Sequence, residues 1–161
     1  MKKSTLVLML VLSLFSAEFA LGKTEFMTEE ALKADAEIGY GQILDLWHDG
    51  KYAELYERTT VGGKNSREDF IQKMANAPYK PACCWEKLQD VRATVKGEEK
   101  VIIRAKVGLQ GAGATTFKTR DVKLTREDGL WRISQADIIT LSGASKKKAY
   151  GKKKKKRVYR H

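Results

Sequence analysis

A chain of 161 residues with 42% apolar side chains is long enough for one domain with a real core, and too short for several. Its formal charge of +11 is not spread evenly. Residues 146–161 hold ten basic side chains and no acid, whereas residues 23–145 hold 19 basic and 19 acidic ones, so by formal count the body makes no case for a polyanion partner.

Lys2 and Lys3 precede an apolar run from Leu6 to Phe15, and Ala20-Leu21-Gly22 follows with small residues at its ends. This pattern predicts an export signal over residues 1–22 with Lys23 as the new N-terminus. The apolar run is about half the ~20 residues of a membrane-spanning helix, and no cysteine follows it to carry a lipid. An uncleaved anchor is the competing reading, and Glu18 interrupts it. The expectation is an exported protein, periplasmic or secreted, with no transmembrane segment after cleavage.

In the body, Thr28 is placed to cap a helix whose first turn holds Glu29 and Glu30. Leu32, Ala36, Tyr40, Ile43, Leu44 and Trp47 recur at helical spacing, so the helix is predicted over 29–48, ended by Asp49-Gly50. Gly39 and Gly41 inside it point to close packing, a bend or a cavity wall. A short helix from Lys51 to Arg58 follows, with Tyr52, Leu55 and Tyr56 as its apolar face. After the loop at residues 61–65, Ser66 caps a third helix with Asp69 three positions on. Pro78 and Pro81 close that segment in extended backbone.

From residue 88 the apolar period becomes two. Val91, Ala93 and Val95 share one face, and Val101, Ile103, Ala105, Val107 and Leu109 share the next, with Arg104 and Lys106 opposite. Turns are predicted at Lys96-Gly97-Glu98-Glu99 and at Gln110-Gly111-Ala112-Gly113. A third strand over 115–124 changes phase between Phe117 and Val122, which predicts a bulge near Arg120-Asp121. The acidic turn Glu127-Asp128-Gly129 leads to a last strand over 130–141. The fold class is therefore α+β: N-terminal helices packed on a curved four-stranded antiparallel meander over residues 23–145, then a disordered Lys-rich tail over 146–161.

Three segments resemble the nuclear transport factor 2-like superfamily. Asp49-Gly-Lys-Tyr-Ala-Glu-Leu-Tyr56 resembles its short turn and small helix, and Ser66-Arg-Glu-Asp-Phe70 its third helix. Val122 to Ser134 is similar to its final hairpin, where an acidic turn precedes a Gly-x-Trp. The resemblance spans about residues 28–141 and implies a cone-like sheet wrapped on a long helix, often with a pocket at the wide end. It also implies a small exported bacterial protein of unknown role. Isomerase-type members use a cavity aspartate with tyrosine or protonated-acid donors; those motifs have no residue-by-residue match here, and fold does not fix function.

The catalytic candidates come from the chain itself. If the last strand runs to 141 with Trp131 and Ile133 inward, Gln135, Asp137 and Ile139 share that face, and a buried Asp137 would serve as a base. Tyr40 and His48 lie eight residues apart on the long helix, with Asp45 between them. Trp47, Tyr52 and Tyr56 read as core aromatics. No phosphate loop, hydrolase nucleophile motif or metal pattern occurs, so no cofactor and no metal are expected. Cys83 and Cys84 are the disulfide candidates; a bridge between neighbours, an intermolecular bridge and two reduced thiols stay open, with a structural or redox-passive pair as the leading reading.

The tail is the clearest interaction feature. Lys146, Lys147, Lys148, Lys152, Lys153, Lys154, Lys155, Lys156, Arg157 and Arg160 would hold an anionic envelope lipid or polymer, with no specific nucleic acid, and Tyr150 and Tyr159 add stacking or interfacial contact. A solvated tail without a dedicated partner is the bland alternative. The leading expectation is an exported, non-enzymatic ligand- or protein-binding domain with a polybasic tail. The rivals are a cone-pocket enzyme of isomerase or hydratase type using Asp137, and a homodimeric structural protein.

Overall fold

The computed structural model describes residues 27–60 and 65–145. The expected leader and the Lys-rich tail lie outside them. Thr28 Oγ1 accepts a hydrogen bond from the Ala31 backbone N–H, and helix α1 runs Glu29–His48, the span its periodicity predicts. Its stripe of Leu32, Ala36, Tyr40, Ile43, Leu44 and Trp47 is buried. Gly50, with φ +75°, turns the chain in the left-handed region and ends the element. Helix α2 (Tyr52–Glu57) follows, then α3 (Arg67–Ala75), where Ser66 Oγ accepts from the Asp69 N–H at 3.1 Å.

The sheet has four long strands and two short ones. The meander comprises β3 (Leu88–Gly97), β4 (Lys100–Gln110), β5 (Thr116–Glu127) and β6 (Leu130–Ser134). Two two-residue strands extend it: β1 (Thr59–Thr60) pairs parallel with β6, and β2 (Lys80–Pro81) pairs antiparallel with the end of β4. The strand order is β1-β6-β5-β4, and β2 and β3 both pair with β4. The architecture is mixed α+β with an open multi-stranded sheet.

Two expectations are corrected. The β4–β5 ladder runs from Lys100↔Thr125 to Leu109↔Thr116 without a slip, so there is no bulge at Arg120-Asp121. Phe117 sits on the opposite face from Val122, across from Gly108, and that alone accounts for the change of phase. The register irregularities fall in β3 instead, at Gln89/Arg92 and Val95/Gly97. The last strand stops at Ser134, and residues Gln135–Leu141 form helix α4. Ser134 Oγ accepts from the Asp137 N–H at 3.1 Å, and Ile138 and Leu141 point into the core at helical spacing. Gln135, Asp137 and Ile139 therefore do not share a strand face.

The inward residues Val101, Ile103, Ala105, Val107, Leu109, Val122, Leu124, Trp131 and Ile133 pack on α1, and Leu55, Phe70, Met74, Ile138 and Leu141 close the ends. Gly39 sets the approach of α1 to the sheet: a Cβ there would lie 2.5 Å from Trp131 Cδ1. Close packing is thus the reason for this glycine. On the same helix, Asp35 Oδ2 accepts a 2.8 Å hydrogen bond from Trp131 Nε1, which fixes the indole across Gly39. Among the described residues no helix is long and apolar enough to cross a membrane.

Candidate functional site

The structure places the sequence candidates at three locations. Tyr40 is fully buried on α1, and its hydroxyl has no hydrogen-bond partner. Burial first, and the charge of Asp137 second, push its phenol well above the ordinary value. The charge of Asp137 reaches Tyr40, but no hydrogen bond joins them. Asp137, however, is occupied by its own helix: its Oδ2 accepts from Ser134 Oγ at 2.7 Å. With Arg120, Val122 and Thr140 it lines a cleft of about 40 Å³. That volume suits one or two waters, far below the ~300 Å³ of an organic ligand site.

His48 does not join that pair. It lies ~12 Å further along the α1 axis, and its Nδ1 donates to the Pro81 carbonyl at 2.8 Å, pinning the helix end to β2. Asp45 pairs with Lys87 Nζ at 2.6 Å. Trp47 is buried, and Tyr56 meets Phe70 edge-on at 5.7 Å, so these aromatics are core. Among the described residues no group of three His, Cys, Asp or Glu side chains is arranged to hold a metal ion.

The outer face of the sheet carries a feature that sequence reasoning saw only in part, at Arg104 and Lys106. Side chains alternate across a strand. With the odd positions of β4 buried, its even positions and their partners in β3 and β5 form the outer surface. Arg92, Lys100, Arg104, Lys106 and Lys123 stand there against Asp121, which pairs with Arg104 at 3.1 Å. Arg92 and Arg104 are directly opposite each other, a like-charge pairing that the Asp121 carboxylate on Arg104 offsets in part. They border a shallow groove of about 540 Å³ with Asp90, Val91 and Thr119. Phe117 is 39% exposed on this face, with Lys106 Nζ 4.7 Å from its ring centroid. The body's neutral total concealed the rest of this face; reading β4 and β5 position by position would have found it.

Beside it lies the 3₁₀ turn Cys84–Glu86. A Cβ on Gly108 would meet the Glu86 carbonyl oxygen at 2.2 Å, so only glycine lets this turn lie across β4. The turn presents Trp85, 73% exposed, and the exposed thiols of Cys83 and Cys84, whose sulfurs are 3.0 Å apart. The hydrogen bond from Cys84 pushes the Cys83 thiol up. No protein-family model matches the sequence, and no curated protein matches it.

Proposed function

We infer that this is an exported, non-enzymatic binding domain that holds an anionic envelope lipid or polymer on the outer face of its sheet. The Lys-rich tail, residues 146–161, strengthens the attachment. The observation that carries this reading is the outer face itself: five cations, Arg92, Lys100, Arg104, Lys106 and Lys123, against Asp121 and the groove-lining Asp90. Exposed Phe117 lies against Lys106, and Trp85 is exposed on the 84–86 turn; both offer flat apolar contact. The interior speaks for binding rather than catalysis, because Tyr40, Ile43, Trp47, Ile133 and Ile138 fill the space between α1 and the sheet. We read the architecture as a cone of the nuclear transport factor 2-like kind; its support is the long α1 lying against β3, β4 and β6.

The test compares binding to vesicles containing anionic lipid for four forms: the full chain, a form lacking residues 146–161, a triple variant Arg92→Ala/Lys106→Ala/Lys123→Ala, and a Lys33→Ala control on the helical side. Each cation near an anionic surface contributes ~1 kcal/mol, so the triple variant should bind roughly a hundredfold more weakly. It should also show a shallower salt dependence, while the control is unchanged. If tail deletion abolishes binding and the triple variant matches the parent, the sheet face has no part in the mechanism.

A further inference from the structure

We propose that Cys83 and Cys84 form a thiol–disulfide exchange site that reacts with a low-molecular-weight disulfide and closes into a bridge between neighbouring residues. Three observations carry it. Both thiols are exposed, and their sulfurs already face each other at 3.0 Å, inside the ordinary contact distance of two non-bonded sulfurs. Cys84 occupies the left-handed region at φ +58°, a backbone that L residues rarely adopt without cause. The turn that carries them is anchored on both sides: the Ala82 N–H donates to the Gly108 carbonyl at 2.9 Å, and the Gly108 N–H donates to the Lys87 carbonyl at 3.3 Å. The pair is therefore presented on a fixed support rather than on a free loop.

The exchange balances without any further reactant. The thiolate of one cysteine attacks a sulfur of the external disulfide, forming a mixed disulfide and releasing one thiolate. The second cysteine then attacks the protein sulfur of that mixed disulfide, the second small thiol leaves, and the protein bridge forms. Two electrons pass from the dithiol to the external disulfide, and the two protons lost by the cysteines go to the two leaving thiols. Adjacent Cα atoms across a trans peptide are ~3.8 Å apart, shorter than the span that ordinary disulfides bridge. Such a bridge is readily reduced again, which suits a cycling site rather than a permanent brace.

The full chain is incubated with glutathione disulfide over graded ratios of oxidised to reduced glutathione, quenched in acid and alkylated, and its intact mass is measured. The expected product is a monomer two hydrogens lighter that takes up no alkylating reagent and reopens as reduced glutathione rises. Cys83→Ser and Cys84→Ser should each accumulate the glutathione mixed disulfide instead, since neither has a second thiol to expel it. A wild-type chain that stays fully reduced at every ratio, that accumulates the mixed disulfide as the single variants do, or that yields only a disulfide-linked dimer overturns the proposal.

Discussion

Tyr40 is the residue on which the interior can be interrogated. A buried hydroxyl with no partner costs ~1–3 kcal/mol, and the Tyr40 oxygen is in that position. Tyr40→Phe should therefore fold with equal or greater stability in chemical denaturation; a marked loss would reveal a partner for the hydroxyl. The pH dependence follows from the direction of the shift. The folded phenol holds its proton more tightly than the unfolded one, so its contribution is complete below the ordinary value of 10.0 and is lost as pH rises towards the elevated folded value. Alkaline destabilisation should be smaller in Tyr40→Phe than in the parent, measured as the difference in urea midpoint between neutral and alkaline solution. Asp137 was harder to read than Tyr40. The same Ser-x-x-Asp spacing that marks the start of α3 at Ser66 and Asp69 recurs at Ser134 and Asp137. There it follows a strand without a break, so the alternation of Trp131 and Ile133 masked the cap. Ser134→Ala should cost ~1 kcal/mol, read by thermal melting, because it removes the acceptor of the Asp137 N–H.

Among the elements, α1 was legible in full because cap, periodicity and stop signal agree on Glu29–His48. The strands β1 and β2 were not, since two residues apiece carry no period and exist only through their partners in β6 and β4. The fit of neighbouring elements rests on two glycines. Gly39→Ala would drive a methyl into Trp131, and Gly108→Ala would drive one into the Glu86 carbonyl. Overpacking of this sort costs ~1–3 kcal/mol. The two variants should differ in kind. Gly39→Ala lowers global stability, whereas Gly108→Ala lifts the 84–86 turn and raises hydrogen exchange locally at Ala82 and Gly108, whose N–H groups hold it. Equal exchange at these amides in parent and Gly108→Ala would show that the turn does not depend on the glycine.

At the scale of the molecule, charge is segregated along the chain. Residues 27–75, which build the first three helices, carry ten acids and six bases, while residues 76–145, which build most of the sheet, carry twelve bases and eight acids. A domain that counts as neutral thus carries its net positive charge in the part that builds most of the sheet. A form lacking residues 146–161 should still be retained on a cation exchanger near neutral pH, and the Arg92→Ala/Lys106→Ala/Lys123→Ala variant of that form should elute earlier. Co-elution of the two would mean that the outer face is not the retaining surface.

The irregular register of β3 has one more consequence. Among the described residues β3 pairs only with β4, which leaves its other edge open. An open edge ten residues long would offer backbone donors and acceptors to a strand of any passing chain. The slips at Gln89/Arg92 and Val95/Gly97, with Asp90 at φ +52° inside the first, break that edge into short, twisted pieces. Deleting Asp90 to straighten the strand should leave a domain that folds but precipitates or forms fibrils at concentrations where the parent stays in solution. The irregularity that borders the basic groove also guards the molecule against self-templated aggregation.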